Sequence, residues 1–152
     1  MKMIFHGVLA LCFVFCACSF SPPAHAQVQS LRHAHNILWT IFDDGNARSN
    51  ILSIPSEYSG SGCESAFTTR IPFVTRQTQT VRWGRIRGVY DETNPLLGNG
   101  PHVSLSGSMM FDEDGVREHR SSLVIFFNRG DTRSRDRVFE AARYLKRQCA
   151  PY

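Results

Sequence analysis

Five cysteines lie along the 152 residues, and their placement constrains the fold more than any other feature. Cys12, Cys16 and Cys18 fall in the apolar run VLALCFVFCACSF, which follows Lys2 and leads into SPPAHA. A short basic start, an apolar run and a small-x-small end form the three-part pattern of an export signal, with cleavage expected after Ala26. Pro22 and Pro23 stop the run short of the roughly 20 apolar residues a spanning helix needs. The rival reading is lipid attachment at Cys18, but VFCAC puts Phe15 and Cys16 where a compact Leu-Ala-Gly-like run belongs. Residues 1–26 are therefore expected to be removed, leaving 27–152 as one exported domain, periplasmic or secreted, large enough for a single core. That domain keeps only Cys63 and Cys149. In an oxidising compartment the two are expected to form a disulfide.

Hydrophobic patterning supplies the elements. Leu31, Ala34, Leu38, Ile41 and Phe42 follow helical spacing between Ser30, a capping residue, and Gly45, a stop, although ILWTIF is β-branched and aromatic enough for a strand. EYSGSG is expected to be a flexible loop leading into Cys63. Beyond it the pattern alternates. Phe67, Thr69, Ile71 and Phe73 share one strand face, with Pro72 pushing that strand toward an edge. HVSLSGSMMF sets Val103, Leu105, Met109 and Phe111 against a serine face, as in a half-buried strand. SLVIFF is apolar on both faces and reads as a central strand covered on two sides. The chain closes with Val138, Ala141, Ala142, Leu145 and Cys149 on one helical stripe, capped by Asp131 or Ser134. The fold class expected is α+β, an antiparallel sheet of about five strands with an N-terminal helix and a C-terminal amphipathic helix. The order of elements is similar to that of PH-like barrels, a likeness that carries no function.

Charge marks two candidate surfaces. The chain has 17 Lys and Arg against 13 Asp and Glu, a net of +4. In VRWGRIRGVY, a regular strand would put Val81 and Trp83 on one face and Ile86 on the other. A bulge at Gly84 and Arg85 lets Val81, Trp83, Ile86 and Tyr90 all point inward, and sends Arg82, Arg85 and Arg87 outward together. Arginine forks match phosphate and carboxylate geometry, so this face is a candidate anion-binding patch. The plainer alternative is a solvated strand face whose charge discourages aggregation. Arg133, Arg135 and Arg137, at the entrance of the last helix, form the second surface, because their cations do not complement that end of the macrodipole.

Several constellations lead nowhere. FDEDGVREH puts Met110 and Ser121 where a calcium loop needs carboxylates, and reads instead as a hairpin turn. His33 and His35 diverge on a helix and lack a third ligand nearby, so no metal is expected. No nucleophile elbow, metalloprotease or phosphate-loop motif is present, and no cofactor is expected. Scattered catalytic groups would have to come from Glu57, Glu64, Asp91 and Glu118 pairing with His102 or His119, as in a small hydrolase. The reading favoured is a non-enzymatic binding or interaction module. Its partner is an acidic protein or an anionic envelope polymer or lipid, and not nucleic acid, since no array of stacking aromatics accompanies the charge.

Overall fold

The computed structural model describes residues 28–49, 54–72, 75–92 and 100–151. The expected export signal, residues 1–26, and Phe73 lie outside them. Helix α1 spans Leu31–Asp43 and helix α2 spans Thr132–Cys149. Between them run β1 (Ala47–Arg48), β2 (Ser56–Ser61), β3 (Glu64–Ile71), β4 (Thr75–Glu92), β5 (His102–Glu113) and β6 (Val116–Phe127). All pairings are antiparallel, in the order β1-β6-β5-β4-β3-β2. The mixed α+β class with an antiparallel sheet is thus observed, with six strands rather than about five. The strands not foreseen are β2 and the two-residue β1. The PH-like likeness rested on element order alone, and the single continuous sheet adds nothing to it.

The sheet is curled almost into a barrel. β1 and β2 occupy opposite edges, yet only a short connection separates them in sequence. Just past β1, Ser49 donates its backbone N–H to Ser56 Oγ of β2 at 2.9 Å, and Ser56 Oγ lies 2.9 Å from Thr69 Oγ1 of β3. A link this short can join the two edges only if they approach each other, so the twist of the strands has to bring the sheet round on itself.

Both helices pack on the buried face. α1 begins at Ser30, whose hydroxyl accepts from His33 N at 3.1 Å, and α2 begins at Asp131, whose carboxylate accepts from Ser134 N at 3.0 Å. Each satisfies one of the orphan donors of a helix start. The stripe Val138, Ala141, Ala142 and Leu145 is wholly buried with Ala34, Leu38 and Ile41 of α1. Trp83, Phe67, Phe127, Leu105 and Ile125 close the core from the sheet.

Four expectations are corrected. EYSGSG is strand β2 as far as Ser61, not a loop: Tyr58 points into the core and its polar neighbours outward, which suffices for an edge strand. β3 is not an edge, because β2 covers its outer side, and Pro72 falls after its last residue, where it costs no ladder bond. β6 has only β1 beyond it and is covered fully on one face: Leu123, Ile125 and Phe127 are buried, while Val124 and Phe126 are half-buried. The bulge in β4 is found between Val81 and Ile86, but a second irregularity follows between Ile86 and Gly88. It turns Val89 toward the core and leaves Tyr90 half exposed.

Candidate functional site

Two clusters of chemistry-bearing side chains stand out, one buried and one open. The buried one is a directed chain of hydrogen bonds. His35 Nε2 lies 2.9 Å from the Gly62 carbonyl, which can only accept, so Nε2 carries a proton. In the neutral ring Nδ1 is then an acceptor, and the Tyr58 hydroxyl donates to it at 2.5 Å. Tyr58 Oη in turn accepts from Ser65 Oγ at 2.9 Å. Ser65 accepts the indole N–H of Trp83 at 2.8 Å, the only direction open to an indole. Burial pushes the Tyr58 hydroxyl well above the tyrosine range, and the Ser65 hydrogen bond works against that shift.

Every polar atom in this chain has its partner, and Ser65 is 1% exposed. The arrangement therefore offers no accessible nucleophile. It serves instead to hold α1, the β2–β3 turn, β3 and β4 in one register. His35, weighed as a metal ligand from sequence, spends both ring nitrogens here. Cys63 and Cys149 are joined by a disulfide beside this chain, with Cα atoms 5.6 Å apart, and Trp83 N donates to the Cys63 carbonyl at 2.9 Å. The tryptophan in VRWGRIRGVY thus anchors β4 to the turn that carries the disulfide. Gly84 beside it is explained by α2: a Cβ there would stand 2.6 Å from the Cys149 carbonyl oxygen.

The open cluster occupies the outer face of the sheet. A groove of about 590 Å³ runs along β4, β5 and β6 there, with Arg76, Arg82, Arg85 and Arg117 among its lining residues. Thr78, Thr80 and Met110 form much of its floor, and Asp112, Asp114 and His119 also line it. The residues are brought together by register. Thr78 stands opposite Asp112, and Asp112 opposite Arg117; Thr80 stands opposite Met110, and Met110 opposite His119.

Four arginines against two aspartates leave the groove positive. Arg117 Nε contacts Asp112 Oδ2 at 2.9 Å, and Arg82 Nε contacts Glu64 Oε2 at 3.3 Å. Asp112 is held below the ordinary carboxylate range, first by the hydrogen bond from Arg117, then by the Gly115 N–H, with the charges of Arg117 and Arg76 adding to both. Its bonds to Gly115 N at 3.0 Å and to Arg117 make it the brace of the β5–β6 hairpin turn expected from sequence.

Of the predicted arginines, Arg82 and Arg85 line the groove, whereas Arg87 is exposed but lies outside that lining. Arg76 and Arg117 were missed, since neither VTRQTQT nor VREHRSS was read as strand. The threonines alternating in TRQTQT were the available signal. At the second surface Arg133 and Arg137 are exposed, while the Arg135 side chain is only 15% exposed and contacts Asp91 Oδ1 at 3.2 Å and Asp136 Oδ1 at 2.7 Å. It ties α2 to the end of β4.

The carboxylates considered for catalysis are spread out. Glu57 meets Arg70 at 3.1 Å, Glu64 meets Arg82, Asp91 meets Arg135, and Glu118 meets Arg120 at 2.6 Å. His102 lies 3.3 Å from Glu92 instead. Among the described residues no helix is long and apolar enough to cross a membrane. No protein-family model matches the chain, and neither a curated protein nor a solved structure does.

Proposed function

We infer that the protein is an exported, non-enzymatic binding module that takes an anionic ligand on the outer face of its sheet. The observation that supports this best is the groove itself: four arginines, three from β4 and one from β6, converge on one cavity of about 590 Å³. Guanidinium groups suit this work because they stay charged and present paired donors to carboxylate, sulfate or phosphate. The sequence pattern of residues 1–26 supports a periplasmic or secreted location, where envelope polymers, lipid head groups and acidic proteins supply such anions.

The test is the binding of the exported domain to polygalacturonate and to vesicles containing phosphatidylglycerol, measured at low and near-physiological salt. Affinity for at least one of them should fall steeply as salt rises, because screening weakens exposed charge pairs. Binding that ignores salt, or no binding to either at low salt, overturns the reading. A second reading places an acidic protein partner at the entrance of α2. It rests on Arg133 and Arg137, which are exposed and lack the dipole explanation available to Lys146 and Arg147 in the last turn.

A further inference from the structure

The four arginines are not evenly spread, and their spacing narrows the ligand class. Arg76 and Arg117 stand at one end of the groove, beside the turn between β5 and β6, together with Asp112, which Arg117 contacts at 2.9 Å, and Asp114, whose Oδ1 accepts from Arg76 N at 3.0 Å. Arg82 and Arg85 stand at the other end, where the bulge in β4 brings both to the same side. Six residues of strand separate Arg76 from Arg82, which at about 3.3 Å per residue is roughly 20 Å. Between the two ends the floor carries hydroxyl and methyl groups of Thr78 and Thr80 and the Met110 side chain, with no cation of its own along β4. A single phosphate or carboxylate can meet one end only. A ligand that uses both must be extended and carry negative charge at intervals.

The position of the groove decides between two kinds of extended anion. It lies on the face of β4, and β4 is paired with β3 on one side and β5 on the other. A peptide laid there would find no free ladder, so it would lose the main-chain hydrogen bonds by which strands recognise peptides. An acidic glycan has no such requirement. Its ring C–H faces suit the threonine methyls and Met110, its hydroxyls suit the threonine hydroxyls, and its acid groups suit Arg82 and Arg85 and, at the other end, compete with Asp112 for Arg117.

Resting on the anion-binding reading above, we propose that the groove binds a linear acidic polysaccharide, held by Arg76 and Arg117 at one end and by Arg82 and Arg85 at the other. The two ends act as linked sites, so the second engagement is intramolecular once the first has formed.

Calorimetric titration of the exported domain with oligogalacturonates of two to ten sugars, at one low salt concentration, tests this. Affinity should climb with length until the chain spans both ends, with the longest about tenfold or more tighter than the dimer. The double variants Arg76→Ala/Arg117→Ala and Arg82→Ala/Arg85→Ala should each return the long chain to dimer-like affinity while keeping the wild-type circular dichroism at the titration temperature. Binding that does not depend on length, or that only one double variant weakens, overturns the two-ended site and leaves the anion-binding reading standing. Oligoglutamate of matched charge binding more tightly than the glycan overturns the ligand class. If no oligomer binds at any length while anionic vesicles do, the polysaccharide proposal fails alone; if neither binds, both readings fail.

Discussion

Tyr58 sits between His35 and Ser65 in the buried chain, and its surroundings make its chemistry predictable. Its hydroxyl donates to His35 of α1 and accepts from Ser65 of β3, so Tyr58→Phe strands the His35 Nδ1 acceptor. That change should cost about 1–3 kcal/mol, the penalty for leaving a buried polar atom unpaired, read as a lower urea midpoint. Gly60→Ala attacks the same bond from another side, because a Cβ there would run into both His35 Nδ1 and Tyr58 Oη. A loss of about 1–3 kcal/mol is expected from the forced separation. Burial raises the folded-state pKa of Tyr58 above its unfolded value. The resulting stability is complete below the unfolded tyrosine value of about 10 and declines as pH rises beyond it, because the unfolded chain then holds fewer protons. Urea midpoints between pH 9 and 11 should fall more steeply for wild type than for Tyr58→Phe; equal slopes would refute the assignment. None of this chain was visible in the sequence. His35 drew notice only through its neighbour His33, since a hydrogen bond across 23 residues leaves no local pattern.

Helices and strands were legible to the degree that burial imposed a period on them. α1 and α2 each bury a stripe, and both were expected within a few residues of their observed limits, as was the alternation of β5. The first part of β4 and of β6 is exposed or half-exposed, so neither shows hydrophobic alternation, and both were missed along with Arg76 and Arg117. β2 was hidden by its composition, since glycine and serine read as loop when only one side chain, Tyr58, carries the apolar signal. Pro72 misled in the opposite sense, since it lies just outside the strand it was expected to weaken. The meeting of α2 with β4 gives a prediction at this scale. Gly84→Ala would press a methyl against the Cys149 carbonyl and push the last turn of α2 off the strand. A cost of about 1–3 kcal/mol is expected. Hydrogen exchange should show the change in the last turn of α2 and not in α1, and a uniform loss of protection would count against it.

At the scale of the whole molecule, a disulfide links segments that sequence places far apart. Cys63 and Cys149 are 86 residues apart, and closing so long a loop restricts the unfolded chain by about 4 to 5 kcal/mol in the chain-entropy account. Domains of this size are stable by only about 5–15 kcal/mol, so reduction should remove a large part of the margin. The urea midpoint should drop sharply with reductant present, and Cys63→Ser/Cys149→Ser should match the reduced protein. This pairing was legible because cysteine counting needs no periodicity; the curl of the sheet was not, because it depends on Ser49 meeting Ser56 across an edge. The disulfide also divides the chain into a ring and a tail. The ring runs from Cys63 to Cys149 and contains β3 to β6 and α2, whereas α1, β1 and β2 form a linear arm joined to it by one peptide bond and otherwise held non-covalently. A protease that cuts once inside the ring therefore produces no separate fragment until reductant is added, while a single cut before Cys63 frees the arm at once on denaturation. Non-reducing and reducing gels of the nicked protein would tell the two apart.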